Sequence, residues 1–419
     1  MNGLTINKDT QLEPKIYILP EGITIDSDNV TLDAHGATIM GTDKTASQGI
    51  KVSGRKNIII KNVRILNYYH GISIKKSKGI EICDCTITLT TEIQSNTLFL
   101  DIWKPAADSY GCAIFLEQVT DANIHDNDLQ HQMNGLLSYQ CKGLNVTNNL
   151  ANYCSGFGFH LFETSDSIYT NNYADFCCRY YLSNAGSHLG ADAAGFLVVY
   201  KSCNNIFRKN YARLGGDGFF LAGLTPHGID VGCNNNLFEE NDASYSPNNA
   251  FEGVFSKGNI YQGNKANHSN YGFWLGFSSD CTLKDNQIYN NRQAGIAVEN
   301  GIHFDILNND IQNNTHGILI WTRLYDFLKT VTSINPTSRE WLIERNKLIQ
   351  NKKAIRIAAN QDHGVRGLND RKSSVSPHNH VIQNNEIRGD IIGIELEQVK
   401  DTRMDQNILD NLVSNLDER

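Results

Sequence analysis

Apolar positions along this chain alternate with period two inside short runs, and the runs themselves recur about every 23 residues. Between Gly216 and Asn309 one phrase appears four times: GDGFFLAG at 216–223, NAFEGVF at 249–255, YGFWLGF at 271–277 and AGIAVEN at 294–300. Each is followed by a second apolar run that closes on an asparagine: Asn241, Asn264, Asn286 and Asn309. The same closing residue returns at Asn127, Asn149, Asn172, Asn210, Asn346, Asn385 and Asn407. Short strand-like runs at a fixed period in the low twenties, separated by Asn, Gly and Ser, predict a coil of parallel strands.

The alternation assigns the faces. One and three residues after the glycine stand Phe159 and Leu161, Phe196 and Val198, Phe219 and Leu221, Phe273 and Leu275, and Ile318 and Ile320. Side chains alternate across a strand, so these stack inward and the residues two and four after the glycine face solvent. The closing asparagine is at a turn, where its amide can stack on its counterpart one rung away.

The pattern predicts an all-β chain of about twelve rungs that forms one domain over residues 1–419. Residues 1–20 are assigned to an N-terminal cap and 409–419 to a C-terminal cap or tail, since an open first rung would be a sticky edge. A net charge of −8 excludes a nucleic-acid or anionic-membrane partner, which would want a basic face. No apolar run approaches the roughly 18 residues of a membrane span. The start, MNGLTINKDT, is not a basic-then-apolar leader, so the chain as given reads as cytosolic or as a processed mature form. The ten cysteines lack the spacing of a zinc motif and read as buried, reduced thiols; no metal and no cofactor is implied.

The sequence G-hydrophobic-x-hydrophobic, spacer, N-x-hydrophobic, N-N resembles the right-handed parallel β-helix repeat of the NosD and carbohydrate-binding, sugar-hydrolase group, within the pectate-lyase-like superfold. The resemblance spans residues 20–407 and implies a single-stranded right-handed β-helix. Lyases, glycosidases, epimerases, fructan-acting enzymes and phage tailspikes share that repeat, so fold alone does not choose among them. PHGID at 226–230 departs from the DPHD-type motif of alginate epimerases. The adjacent Asp pairs, Gly-His-Gly and Arg-x-Lys of polygalacturonases are absent.

Candidate chemistry lies where the spacing breaks. Closing asparagines are 22 or 23 apart in the plain coil, but 38 apart from Asn172 to Asn210 and 37 from Asn309 to Asn346. The extra residues fall before the glycine strand, near 90–109 and 177–193, and after it, near 223–233, 322–340 and 360–378. Loops on both margins of one strand face predict a walled cleft. Outward positions there carry Phe220, Trp274 and Trp321, suited to the apolar faces of sugar rings or to anchoring loops.

Carboxylates gather on the same rungs. Asp217 and Glu252, on consecutive rungs with backbones about 11 Å apart, are assigned as acid and base, with Asp192 a third catalytic candidate. Their side chains could converge to the roughly 6.5–9.5 Å of an inverting glycosidase pair. Glu163, Glu299, His160 and His227 complete the substrate-binding candidates, while His188, Arg179, Arg213 and Lys201 are weaker ones. The expected function is cleavage or intramolecular transfer of a glycosidic bond in an oligo- or polysaccharide. A polysaccharide lyase or uronate epimerase is the alternative, disfavoured by few basic residues in the cleft. A non-catalytic carbohydrate-binding or tailspike-like protein is another, and a homo-oligomer such as a trimer is compatible with it.

Overall fold

In a computed structural model the chain forms two compact units, Met1–Asp217 and Gly218–Arg419. The structure describes residues 2–94, 99–183, 186–189, 193–323, 335–359, 376–410 and 414–418. Almost every ordered element is a short strand; the one helical turn among the described residues is a 3-10 turn at Ala106–Asp108. No helix there is long and apolar enough to cross a membrane.

Each unit is a stack of rungs. In the first unit, strands Gly3–Ile6, Gly22–Ile25, Gln48–Ser53, His70–Lys75, Cys112–Glu117, Leu136–Tyr139, Phe157–Phe162 and Ala194–Val199 lie in that order in a first sheet. In the second unit the first sheet runs from Asp217–Ala222, whose first residue closes the preceding unit, through Asn249–Val254, Tyr271–Trp274, Ala294–Glu299, His316–Thr322, Lys353–Ala359 and Ile392–Glu397 to Ser414–Glu418. Second and third sheets repeat the order, and within each sheet neighbouring rungs pair in parallel. This is a parallel β-helix.

The two units hold eight first-sheet strands each among the described residues, more than the twelve rungs expected, and two of these strands lie in the termini. Gly3–Ile6 is in register with Gly22–Ile25, and Ile392 pairs with Ser414, so segments assigned to caps carry strands. The first carries the glycine phrase as Gly3-Leu4-Thr5-Ile6, whereas Ser414–Glu418 lacks it. The phrase glycine itself is explained by close approach rather than by a left-handed backbone. A Cβ on Gly272 would stand 2.5 Å from the Gly295 carbonyl oxygen and 2.9 Å from the Ile288 side chain.

In-register stacking puts like side chains on like. Phe219 stacks on Phe251 with centroids 5.1 Å apart and planes 4° apart, and Phe251 on Phe273 at 4.9 Å and 9°. In the first unit Phe159 stacks on Phe196 at 4.8 Å. Such offset or parallel pairs add roughly 0.5–1.5 kcal/mol each beyond their burial.

The closing asparagines form the polar counterpart. The Asn264 backbone N–H donates to Asn286 Oδ1 at 2.9 Å, and its Nδ2 donates to the Phe238 carbonyl at 2.9 Å and to Asn286 Oδ1 at 3.1 Å. Its own Oδ1 accepts two such bonds from Asn241. Asn127, Asn149, Asn172 and Asn210 form the same ladder in the first unit. The residue before each ladder position turns left-handed, as at Asn148 (φ 57°), Asn171 (φ 54°) and Asn308 (φ 54°), which is why Asn-Asn recurs.

All ten cysteines are free thiols; eight are buried, and Cys178 and Cys203 are partly exposed.

Replacing Asn264 by Ala removes an amide that is fully buried and fully bonded, leaving rung neighbours without partners. Chemical denaturation should show a loss of about 1–3 kcal/mol. An unchanged midpoint would mean the ladder is incidental to stability.

Candidate functional site

The outward face of the first sheet is not open in the first unit. Phe115, Leu137, Tyr139, His160, Phe162, Leu197 and Val199 all occupy it and all are buried. Of the insertion near 90–109, expected to wall a cleft, the described residues 99–109 instead lie against this face. Tyr69 Oη donates to the Ser109 carbonyl at 2.6 Å, the Asp101 N–H donates to Tyr110 Oη at 2.9 Å, and Leu100 and Tyr110 are buried. So many apolar side chains on one solvent-facing surface would be costly, and the insertion takes them out of water.

His160 is therefore an interior residue. Its ring lies 5.6 Å from Phe157 and 5.2 Å from Tyr139, and burial holds its pKa down at about 3. Glu163 sits in the following turn (φ 50°), where its Oε2 accepts from Gln140 Nε2 at 2.7 Å. Arg213 is tied to Asp175 at 2.6 Å. Asp192 lies outside the described residues, as does the side chain of His188. Asp217 is 1% exposed and ends the first unit, whereas Glu252 belongs to the second.

A buried pair in this unit was invisible to motif reading. His70 Nδ1 stands 3.2 Å from Cys112 Sγ, the two being register partners 42 residues apart in the chain. Burial pushes the Cys112 thiol well above its ordinary range and holds His70 at about 3, so both are neutral. A thiolate is the nucleophilic form, and this pair does not supply one.

The second unit keeps its carboxylates on the outward face. Phe220, Glu252 and Trp274 are register partners on three consecutive strands. Glu252 is partly buried, and Asn249 Nδ2 donates to its Oε2 at 2.5 Å. Trp274 is not an open platform: at 6% exposure it packs with Tyr271, Ala294, Ala297, Leu319 and Trp321. Its ring lies 4.8 Å from Tyr271 and 5.6 Å from Trp321, and Trp321 is wholly buried. Of the two roles open to these aromatics, Trp321 has the packed one.

Glu299 lies on the same face, 4% exposed, with its Oε2 3.9 Å from Arg323. Its side chain folds back over the preceding rung. A Cβ on Gly276 would meet Glu299 Cγ at 3.1 Å and Oε1 at 3.6 Å, so the missing side chain at Gly276 makes the space that this carboxyl group uses.

Beside it opens a cleft of about 270 Å³, lined by Leu224, Asp230, Asn234, Phe255, Lys257, Phe277 and Asn335. Phe255 and Phe277 are stacked 4.7 Å apart at the turn that follows the strands of Glu252 and Trp274. The 223–231 loop supplies one wall, closed by Val231 N–H donating to the Gly223 carbonyl at 2.8 Å. His227 is exposed on that loop.

Further along the face, Lys353 Nζ reaches Glu395 at 2.7 Å, and Arg356 bridges Glu395 at 2.5 Å and Glu397 at 2.6 Å. Burial alone would push the Glu395 carboxyl up, but its hydrogen bonds and charge pairing with Lys353 and Arg356 hold it below its usual value. Arg356 is a register partner of Glu395, a relation that no linear motif displays.

The buried histidines make stability depend on pH. An unfolded chain protonates His160 near 6.5, the folded one only near 3, so the stabilisation is complete above 6.5 and is lost as pH falls toward 3. Between pH 7 and 5 the loss should be about 2 kcal/mol for this residue. Denaturation midpoints of His160→Gln protein should fall less steeply over that interval; an identical slope would contradict the burial of a neutral imidazole.

Similarity to known proteins follows the architecture. The family model described as "Right handed beta helix region" matches residues 92–227 and 222–327. Among solved structures, an alpha-1,3-glucanase catalytic unit of type GH87 from Streptomyces thermodiastaticus strain HF3-3 is 13% identical, with TM-score 0.53, 89% of this chain covered and 63% of that one. The periplasmic alginate epimerase AlgG is 12% identical, with TM-score 0.50, 95% of this chain covered and 79% of that one. The mannuronan C-5 epimerase AlgE6 A-module from Azotobacter vinelandii is 14% identical, with TM-score 0.40, 98% of this chain covered and 91% of that one. No curated protein is significantly similar in sequence. At these identities the likenesses speak to fold, and with more than half of its length matched by the family model, the chain belongs to the right-handed β-helix family.

Proposed function

We propose that this protein is a carbohydrate-active enzyme that cleaves, or transfers within one molecule, a glycosidic bond, using Glu252 and Glu299 as its carboxylate pair. The observation that carries this reading is the fold of Glu299 over Gly276 toward the rung of Trp274. Gly276 and Glu252 are one rung and two residues apart, so the Glu299 carboxyl stands roughly 8 Å from the Glu252 backbone. On this reading the two carboxyl groups, rather than carboxyl and backbone, stand about 6.5–9.5 Å apart, the range that admits a water between acid and base.

The surroundings support the division of labour. Glu252 is partly exposed and accepts a hydrogen bond from Asn249, and on this reading it serves as the base. In this division of labour Glu299, nearly enclosed on the same face, protonates the leaving oxygen. A cleft of about 270 Å³ with an aromatic edge and polar walls fits a single sugar unit. Both the alpha-1,3-glucanase and the alginate epimerase named above act, by their names, on polysaccharides.

Elimination at a uronate is the weaker reading: Arg323 faces Glu299, Lys353 and Arg356 are held by Glu395 and Glu397, and of the cations Lys257 lines the cleft itself.

Incubation with a panel of oligosaccharides, read by mass spectrometry, should give products heavier by one water or a rearranged glycan of unchanged mass. Unsaturated products would replace this reading with a lyase. On whichever substrate is turned over, Glu252→Gln and Glu299→Gln should each lower turnover by about 10²–10⁴ with unchanged melting temperature. Full activity in either variant would remove that residue from the pair and return attention to Asp217 and Asp192.

A further inference from the structure

The second sheet of the first unit carries a cluster with a different chemistry. Strands Lys78–Cys83 and Thr120–His125 are parallel neighbours, with Glu81 opposite Asn123 and Cys83 opposite His125. Ile80, Ile82 and Ile124 point into the core, so period-two alternation puts Glu81, Cys83 and His125 together on the outer side. Their donor atoms, a carboxylate oxygen, a thiol sulfur and an imidazole nitrogen, all lie within 4.8 Å of one another.

Two details separate this from an ordinary surface ion pair. His125 Nε2 stands 3.5 Å from Glu81 Oε1, longer than a good hydrogen bond. It is close to the separation of roughly 3.3–3.6 Å between two ligands that share a tetrahedral ion with bonds of about 2.0–2.3 Å. Meanwhile His125 Nδ1 is engaged by Asp126 Oδ2 at 2.7 Å, and the other oxygen of Asp126 accepts from Asn148 Nδ2 at 3.3 Å. A carboxylate on one ring nitrogen fixes the tautomer and aims the other nitrogen at a metal, the arrangement that recurs behind metal-bound histidines.

We propose that Glu81, Cys83 and His125 bind a zinc ion, with a fourth position left to water. Sulfur, nitrogen and oxygen donors together suit a borderline ion rather than calcium or magnesium, which take oxygen alone. Binding replaces the S–H bond of Cys83 by an S–Zn bond and releases one proton to solvent. Thiolate and carboxylate then balance the two charges of the ion. Lys61, the register partner of Cys83 on the other side, has its ammonium 3.5 Å from Asp33. This site is independent of the carboxylate pair on the first sheet.

Titration of the metal-free full chain with cobalt(II) tests the assignment. A near-ultraviolet thiolate-to-cobalt band and visible bands of tetrahedral intensity should appear, saturate at one equivalent, and be displaced by one equivalent of zinc. Cys83→Ser should lose the near-ultraviolet band, His125→Ala should lose tetrahedral binding, and Asp126→Asn should bind about 10–100-fold more weakly. Cys281→Ser, whose thiol is buried in the second unit, should keep the full spectrum. No band in the native protein, or a band retained in folded Cys83→Ser protein, would overturn the proposal.

Discussion

The asparagine ladder is the constraint on which each unit depends. A parallel rung turns three corners in little more than twenty residues, and at each corner the backbone leaves the sheet and needs other partners. One buried amide per rung answers this by bonding forward to the next asparagine and sideways to a strand carbonyl, as Asn264 does with Asn286 and Phe238. The amide works because it carries two donors and an acceptor in one plane. Where the parallel ladder of Asn291, Asn314 and Asn351 ends on Asp390, the carboxyl accepts from Asn351 at 2.7 Å, and burial pushes its pKa up to about 6.

A register so fixed makes the outer faces rigid lattices on which side chains are placed in rows. In the second unit this puts Glu252 opposite Trp274 and leaves Gly276 as the gap into which Glu299 folds. In the first unit the same rows are filled with Phe115, Tyr139 and Phe162, and an insertion seals them. One architecture thus serves as a covered apolar surface in one place and as a carboxylate-lined one in another. The difference lies in a few outward residues rather than in the coil.

What could be read from the sequence was whatever repeats. The glycine phrase, the closing asparagines and the inward phenylalanines announce themselves at every rung, and Glu252 stands out because most residues at its position are apolar. Relations between rungs were not legible. His70 and Cys112, or Glu81, Cys83 and His125, meet only because the insertion lengths bring them into register across 42 residues. The burial of His160, and the choice between the two roles left open for Trp321, were not legible for another reason: alternation assigns a side of the strand, and cannot say that another segment or an apolar cluster will cover it. The last rung escaped notice because a terminal strand needs only one neighbour and can dispense with the phrase, whereas the first carries it at Gly3–Ile6 within a stretch assigned to a cap.

The placement of Glu252 and Glu299 on one working face is tested most directly by a crystal structure of Glu299→Gln protein soaked with an oligosaccharide that the native protein turns over. The predicted result is a sugar in the Phe255–Phe277 cleft with its glycosidic oxygen against Gln at position 299 and its ring carbon toward Glu252. A sugar bound with neither residue in contact would contradict it.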